Sequence, residues 1–301
     1  MIKTPLSTVI GGAFWTPEAT VINGAKLSFG IVMEKLFSNG EQGFAYDPND
    51  LSTMFQDAAG TVPVTGVGQA VGLMLDKSKG LSLGGNLANP IPAPTILDAN
   101  SGTQGTWNPE TKILGNTGAI VNTRPRFNFT FPTTAGRFYK ITGRLSGNLG
   151  VFIQAIPLTK DENGSFYGVI QATSTSIILQ IITSLTQTTY LKVEEFIVQE
   201  IQGNHAYQTQ SAMRPLLVAS PQRLDYDIAD DKLITNLPAQ LTGCTVIRSV
   251  PNVGTQILTG QTIPTTYSDN TDHCGLIVVN RALTPSETSA ITTEFNKMAG
   301  V

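Results

Sequence analysis

Apolar and polar positions follow two main styles along the chain. Between residues 81 and 202, short stretches alternate apolar and polar side chains: 126–131, 138–145, 151–157, 166–172, 176–183 and 190–200. A period of two is the mark of a half-buried strand. In 126–131, Phe127, Phe129 and Phe131 share one face while Asn128 and Thr130 take the other. Turn residues punctuate these stretches at the spacing of a β-sandwich, and Asp161-Glu162-Asn163-Gly164 is the clearest hairpin signal.

The flanking regions, 40–80 and 203–301, read differently. Val71 to Leu75 and Leu276 to Val279 are compact apolar runs that predict buried strands. Asp47-Pro48-Asn49-Asp50 is a turn, with Asp50 placed to cap a short helical turn. Near the end, Thr284, Pro285 and Glu287 form an N-cap, an N1 proline and a capping box. Ile291, Phe295 and Met298 then give a packed helical stripe that Gly300 ends. Residues 1–39 are mixed. Positions 25–37 suggest a short helix with Leu27, Ile31 and Leu36 on one face, expected to lie against a partner or another copy of the chain.

The expected fold is therefore mainly β, in two units. Residues 81–202 form a sandwich inserted into an outer domain made of 40–80 and 203–301, with 1–39 as an N-terminal leader. That reading has a spatial consequence: Asp76–Lys79 and Gln202–Asn204 should lie side by side. Gly203-Asn204-His205-Ala206 marks the return point, and His205 reads as a structural turn residue.

Composition narrows the function. Charged residues are only 14% of the 301, and net charge is −3, so there is no footprint for nucleic acid. Thr, Ser, Asn and Gln carry the polar load, with 29 Gly and 17 Pro, which suits short strands and many turns. No apolar run reaches the length of a membrane span. The start lacks the apolar core of a signal peptide, so synthesis without Sec export is expected.

Four carboxylates cluster in sequence: Asp225, Asp227, Asp230 and Asp231. Hard oxygen ligands at close spacing suit calcium, but the same residues suit an Asp-rich turn whose side chains cap backbone N–H groups, and the spacing is not that of a twelve-residue calcium loop. No other cofactor is indicated. Cys244 and Cys274 read either as a pair or as two buried free thiols. A zinc site from His273, Cys274 and Cys244 lacks a C-x-x-C pair. No G-x-S-x-G elbow or H-E-x-x-H helix is present, and Asp161-Glu162 and Glu194-Glu195 are adjacent pairs that a strand would point apart. The chain does not read as an enzyme.

The flanks carry a resemblance. Tyr46-Asp47-Pro48, Asp50-Leu51-Ser52-Thr53, Phe55-Gln56-Asp57 and Leu75-Asp76-Lys77-Ser78 are similar to a run found in tail-fibre-like structural proteins of tailed bacteriophages and prophages. Gly203-Asn204-His205-Ala206, Arg214-Pro215, the segment Arg223 to Asp231, and Arg281-Ala282-Leu283-Thr284 continue that likeness. The last two resemble parts of laminin-G and concanavalin-A-like domains, with Ile228-Ala229 where the family has a glycine, which implies a reduced lectin-like outer domain. The inserted part resembles, more weakly, the jelly-roll carbohydrate-binding modules found at that place. The resemblance implies a virion protein assembled in the host cytoplasm. It would sit in a tail fibre or similar appendage, as a homotrimer joined to other virion proteins through the leader. It would adhere to a host surface glycan without cleaving it. The alternative is a capsid decoration, head-fibre or tail collar protein with a structural role. Sugar recognition needs an aromatic platform beside amides and hydroxyls. Trp107, Tyr139, Phe166 and Tyr167 are the candidates, with Trp107 expected to be the exposed one.

Overall fold

The computed structural model describes residues 8–10, 13–15, 29–97, 105–116, 125–148, 152–154, 158–182 and 189–301. The chain is mainly β, and all strand pairs among the described residues are antiparallel. Alternation in the central region produces two sheets. One has six strands in the order Thr159–Lys160, Ser165–Gln171, Phe138–Gly147, Leu191–Glu200, Ile113–Asn116, Gly105–Asn108. The other has four: Phe152–Gln154, Ser176–Ile182, Arg126–Pro132, Thr95–Leu97. Their inner faces meet in one core that includes Phe127, Phe129, Phe131, Ile141, Phe166, Leu179, Phe196 and Val198. Phe196 sits at its centre, edge-on to Phe129, Phe131 and Phe166 at 5.0, 6.3 and 5.7 Å. Burying each such ring is worth roughly 2–3 kcal/mol. The hairpin at Asp161–Gly164 forms as expected, with the Asp161 carboxylate accepting the N–H groups of Asn163 and Ser165. The strands 95–97, 105–108 and 113–116 were not visible as alternation.

The outer unit has three layers. A five-stranded sheet runs Thr266–Asp269, Leu233–Asn236, Ala206–Tyr207, Leu73–Met74, Met54–Phe55. A four-stranded sheet runs Gly254–Ile263, Leu241–Val250, Gly275–Val279, Gly43–Tyr46. Between them lies a core that includes Phe44, Tyr46, Met74, Leu233, Val246, Leu276 and Val278. On the other face of the four-stranded sheet, Ala45, Ile247, Ile277 and Val279 pack under two helices. Burial on both faces explains why Gly275–Val279 is apolar without alternation. Gly43 is obligatory where it stands: its φ is +144°, and a Cβ would collide with the Val278 carbonyl.

The two helices are α1 (Phe29–Leu36) and α2 (Pro285–Ala299). The α2 caps match the sequence expectation: Thr284 and Glu287 form the capping box, and Gly300 ends the helix at φ +84°. For α1 the expectation is corrected twice. Its buried face is Phe29, Val32, Met33 and Leu36, and Ile31 is 45% exposed; Leu27 lies outside the described residues. It also packs within its own chain, where Phe29 stacks on Phe295 of α2 at 5.9 Å and the helix completes the outer core. Residues 29–37 thus pack with the outer unit.

Candidate functional site

The two units meet at a seam built around Asp76. Its buried carboxylate accepts four hydrogen bonds: from the N–H of Ala45 (2.8 Å), the N–H and Oγ–H of Ser78 (2.8 Å each) and the N–H of Asn204 (2.7 Å). The Asp76 N–H in turn donates to Nδ1 of His205 at 2.9 Å. That fixes the tautomer, so Nε2–H donates to the Ile201 carbonyl at 3.0 Å. The segments 76–79 and 202–204 therefore lie side by side, as an insertion requires. Gly203, at φ +136°, leaves room for this: a Cβ there would come within 2.9 Å of the Asp76 carboxylate. Phe138 of the sandwich stands edge-on to the His205 ring at 5.2 Å and packs with Leu73, Leu75 and Ile201. Tyr46 Oη–H donates to the Asn204 carbonyl at 2.6 Å. Burial lowers the His205 pKa to about 4 and raises that of Asp76 to about 6, the latter against the pull of the N–H groups it accepts. His205 is a structural residue here, as its turn context suggested; the sequence placed Asp76 beside the return segment, and the structure adds the hydrogen bond from the Asp76 N–H to its ring.

The aromatic candidates separate cleanly. Tyr139 and Phe166 are core residues of the sandwich. Trp107 is half-buried and stands edge-on to Phe129 at 5.5 Å, so the expectation that it is the exposed platform is corrected: its polar sequence neighbours do not decide its burial, the facing sheet does. Tyr167 is 55% exposed on the outer face of the six-stranded sheet. Strand register places it in one row with Thr159, Thr142 and Ile197. Lys140 and Gln199 form the next row on one side, and Arg144, Ser165 and Glu195 the row on the other.

The acidic group resolves into a turn. Asp227 accepts the N–H groups of Ala229, Asp230 and Asp231 at 3.0, 3.1 and 3.1 Å, and Asp231 accepts the Asp227 N–H at 3.1 Å. Asp225 points elsewhere, to Arg223 at 2.9 Å. Oxygens of Asp227, Asp230 and Asp231 still converge within 4.8 Å. Cys244 and Cys274 are buried and free. His273 donates from Nε2 to the buried Asp269 carboxylate at 2.8 Å, and no cluster of His273 with the cysteines is found among the described residues. Of the other carboxylates, Glu194 is taken up by Ser146 (2.6 Å) and Lys192 (2.8 Å), away from any paired acid. No helix among the described residues is long and apolar enough to cross a membrane.

Set against known proteins, the chain matches no family model, no curated protein and no solved structure.

Proposed function

We propose that the chain is a virion structural protein whose sandwich adheres to a host surface glycan without breaking it, in a phage tail fibre or similar appendage. The sequence motifs of the flanks support the virion reading. One structural observation carries the adhesion reading: the exposed Tyr167 ring with Thr142, Thr159 and Ile197 beside it and Lys140, Gln199 and Arg144 within the neighbouring rows. A flat ring gives a sugar its apolar face, and hydroxyl, amide and cationic groups around it give its hydroxyls partners. A rigid sheet holds these groups in place before binding, and a trimer would present three copies of a weak site at once.

A glycan array probed with the full chain tests this. Binding to a defined subset of glycans is expected, with Tyr167→Ala weakening it by about tenfold. Release of reducing ends from a bound glycan would show cleavage and overturn the non-enzymatic part. Absence of any binding at millimolar sugar would leave the decoration or collar role in its place.

A further inference from the structure

A cleft of about 1070 Å³ opens at the seam, on the side of α1. Its walls are α1, the connector 77–82, the return 202–204 and Arg137 of the sandwich. Seams between units are a common place for ligand sites. The charges here are unevenly used. Lys77 is neutralised by Asp47 at 3.0 Å and Asp50 at 2.8 Å. Lys79 has no carboxylate within 4 Å among the described residues; its Nζ donates to the Glu41 carbonyl at 2.8 Å and lies over the Phe37 ring at 5.8 Å. Arg137 donates to the Gly203 carbonyl at 3.1 Å, and its carboxylate neighbour, Glu200, stands off at 3.8 Å. Both cations are thus held by carbonyls and positioned before any ligand arrives, Lys79 with no carboxylate partner among the described residues and Arg137 with only the long Glu200 contact.

We propose that this cleft binds a carboxylate-bearing saccharide. The proposal rests on the glycan reading above and adds a second, charge-selective subsite to it. Three observations favour that chemistry. Two cations, Lys79 and Arg137, line the same cleft, and an anion is the ligand they would pair with. Backbone donors for a phosphate dianion are depleted, because the N–H groups of Gly80, Ser82 and Gln202 are already given to the carbonyls of Lys77, Lys79 and Ser82. Amide and hydroxyl side chains of Gln42, Gln202 and Ser82 share the wall with the exposed Ile31, which suits a ring with an apolar face and hydroxyl edges. Glu34 of α1 also lines the cleft, where it accepts sugar hydroxyls and repels a second carboxylate.

The test is calorimetric titration of the full chain with a uronic-acid disaccharide and with its methyl ester, which removes the charge at the cost of one added methyl group. The acid is expected to bind at least about fivefold more tightly than the ester at low salt, with the preference shrinking as salt is raised. Lys79→Gln and Arg137→Gln should each abolish the preference, and Glu34→Gln should enlarge it. Arg137 also ties down Gly203, so Lys79→Gln carries the test if the arginine variant misfolds. Equal binding of acid and ester, or a preference that survives Lys79→Gln, overturns the proposal. If neutral glycans bind on the array while acid and ester do not differ, only this inference fails. If no saccharide binds at all, the glycan reading fails with it.

Discussion

The inserted sandwich and the outer unit are both antiparallel β structures, yet they are held together differently. Among the described residues, the sandwich contributes a single buried polar side chain, Asn116. The outer unit and its seam bury Asp47, Asp76, His205, Thr235, Ser249, Asp269, His273, Glu287 and others. In the sandwich each strand has one wet face, so apolar burial alone defines the register. The outer unit is split by the inserted sandwich, so its two parts must find each other across the insertion, and its central strand Gly275–Val279 is dry on both faces. There, specific hydrogen bonds fix which segment lies beside which. The contrast teaches that a polar network is used where an apolar surface would not distinguish between neighbours.

The largest effect expected from breaking this contrast is in the sandwich core. Phe129 touches both Trp107 and Phe196 edge-on and is fully buried. Phe129→Ala should destabilise by about 3–5 kcal/mol, since the lost ring leaves a cavity between two sheets. Chemical denaturation measures it. Native-state hydrogen exchange should place the loss at Arg126–Pro132, Ser176–Ile182 and Leu191–Glu200 and spare Gly275–Val279. Equal loss in both units would show that they unfold as one.

Next comes the seam. Asp76→Asn keeps shape but turns one acceptor into a donor facing N–H groups. A loss of about 3 kcal/mol is expected, the cost of a buried group left without its partner. The same exchange experiment should now show the loss at Gly43–Tyr46 and Ala206–Tyr207, with the sandwich core protected. A variant as stable as the parent would mean that the four hydrogen bonds to Asp76 do not organise the seam.

Acid should also separate the units, and the signs decide where. His205 is depressed to about 4, so its contribution is complete above 6.5 and lost as pH falls through 4. Asp76 is raised to about 6, so it acts oppositely, gaining stability as pH falls from 6 to 3.8. The two nearly cancel, each on the order of 3 kcal/mol. Glu287 is different. Arg281 grips it at 2.8 and 2.9 Å and holds its pKa down at about 2, so its contribution is present above 4.5 and lost below. Asp269 follows the same direction: burial pushes it up, but His273 and Arg248 hold it low. Stability of the outer unit should therefore be nearly flat from pH 7 to about 4.5, then fall by about 2–3 kcal/mol towards pH 2. Glu287→Gln should flatten the acid limb. A steep loss already at pH 6 would mean that Asp76 does not offset His205.

The same contrast explains what could be read beforehand. Strands 126–132, 138–147, 165–171 and 191–200 announced themselves, because one face of each is wet and alternation follows. The α2 caps were legible because capping is local. Thr95–Leu97, Gly105–Asn108 and Ile113–Asn116 were missed, being short and broken by glycine and polar residues. The face of α1 was misassigned because Ile31 is as apolar as Val32, and only α2 decides which of them is covered. Trp107 was misplaced for a related reason: Phe129 that buries it comes from the other sheet. The juxtaposition of Asp76–Lys79 with 202–204 could be read from the change of style at both segments, but the specific bond from the Asp76 N–H to His205, more than a hundred residues away, had no local signal. Lys79 and Arg137 look like ordinary surface cations until the fold brings them to one cleft, Lys79 without a carboxylate among the described residues and Arg137 with Glu200 at 3.8 Å.

The smallest effect expected is at the acidic turn, and it bears on whether the outer unit owes anything to a metal. Calcium takes six to eight oxygens. Asp227, Asp230 and Asp231 bring oxygens together within 4.8 Å, but one oxygen of Asp227 is already shared among three backbone N–H groups. The turn is complete without an ion. Ile228 is fully exposed and held at φ +66°, a left-handed conformation that is strained for a β-branched residue. A weak site half-saturated by calcium would add only about 0.4 kcal/mol, which is RT ln 2. Adding about 1 mM calcium, the affinity range of extracellular modules, should therefore shift the melting temperature by about 1 °C or less. Asp230→Asn should leave that result unchanged. A rise of several degrees that Asp230→Asn removes would make this turn a metal centre, and the outer unit would then be fixed by an ion as well as by hydrogen bonds.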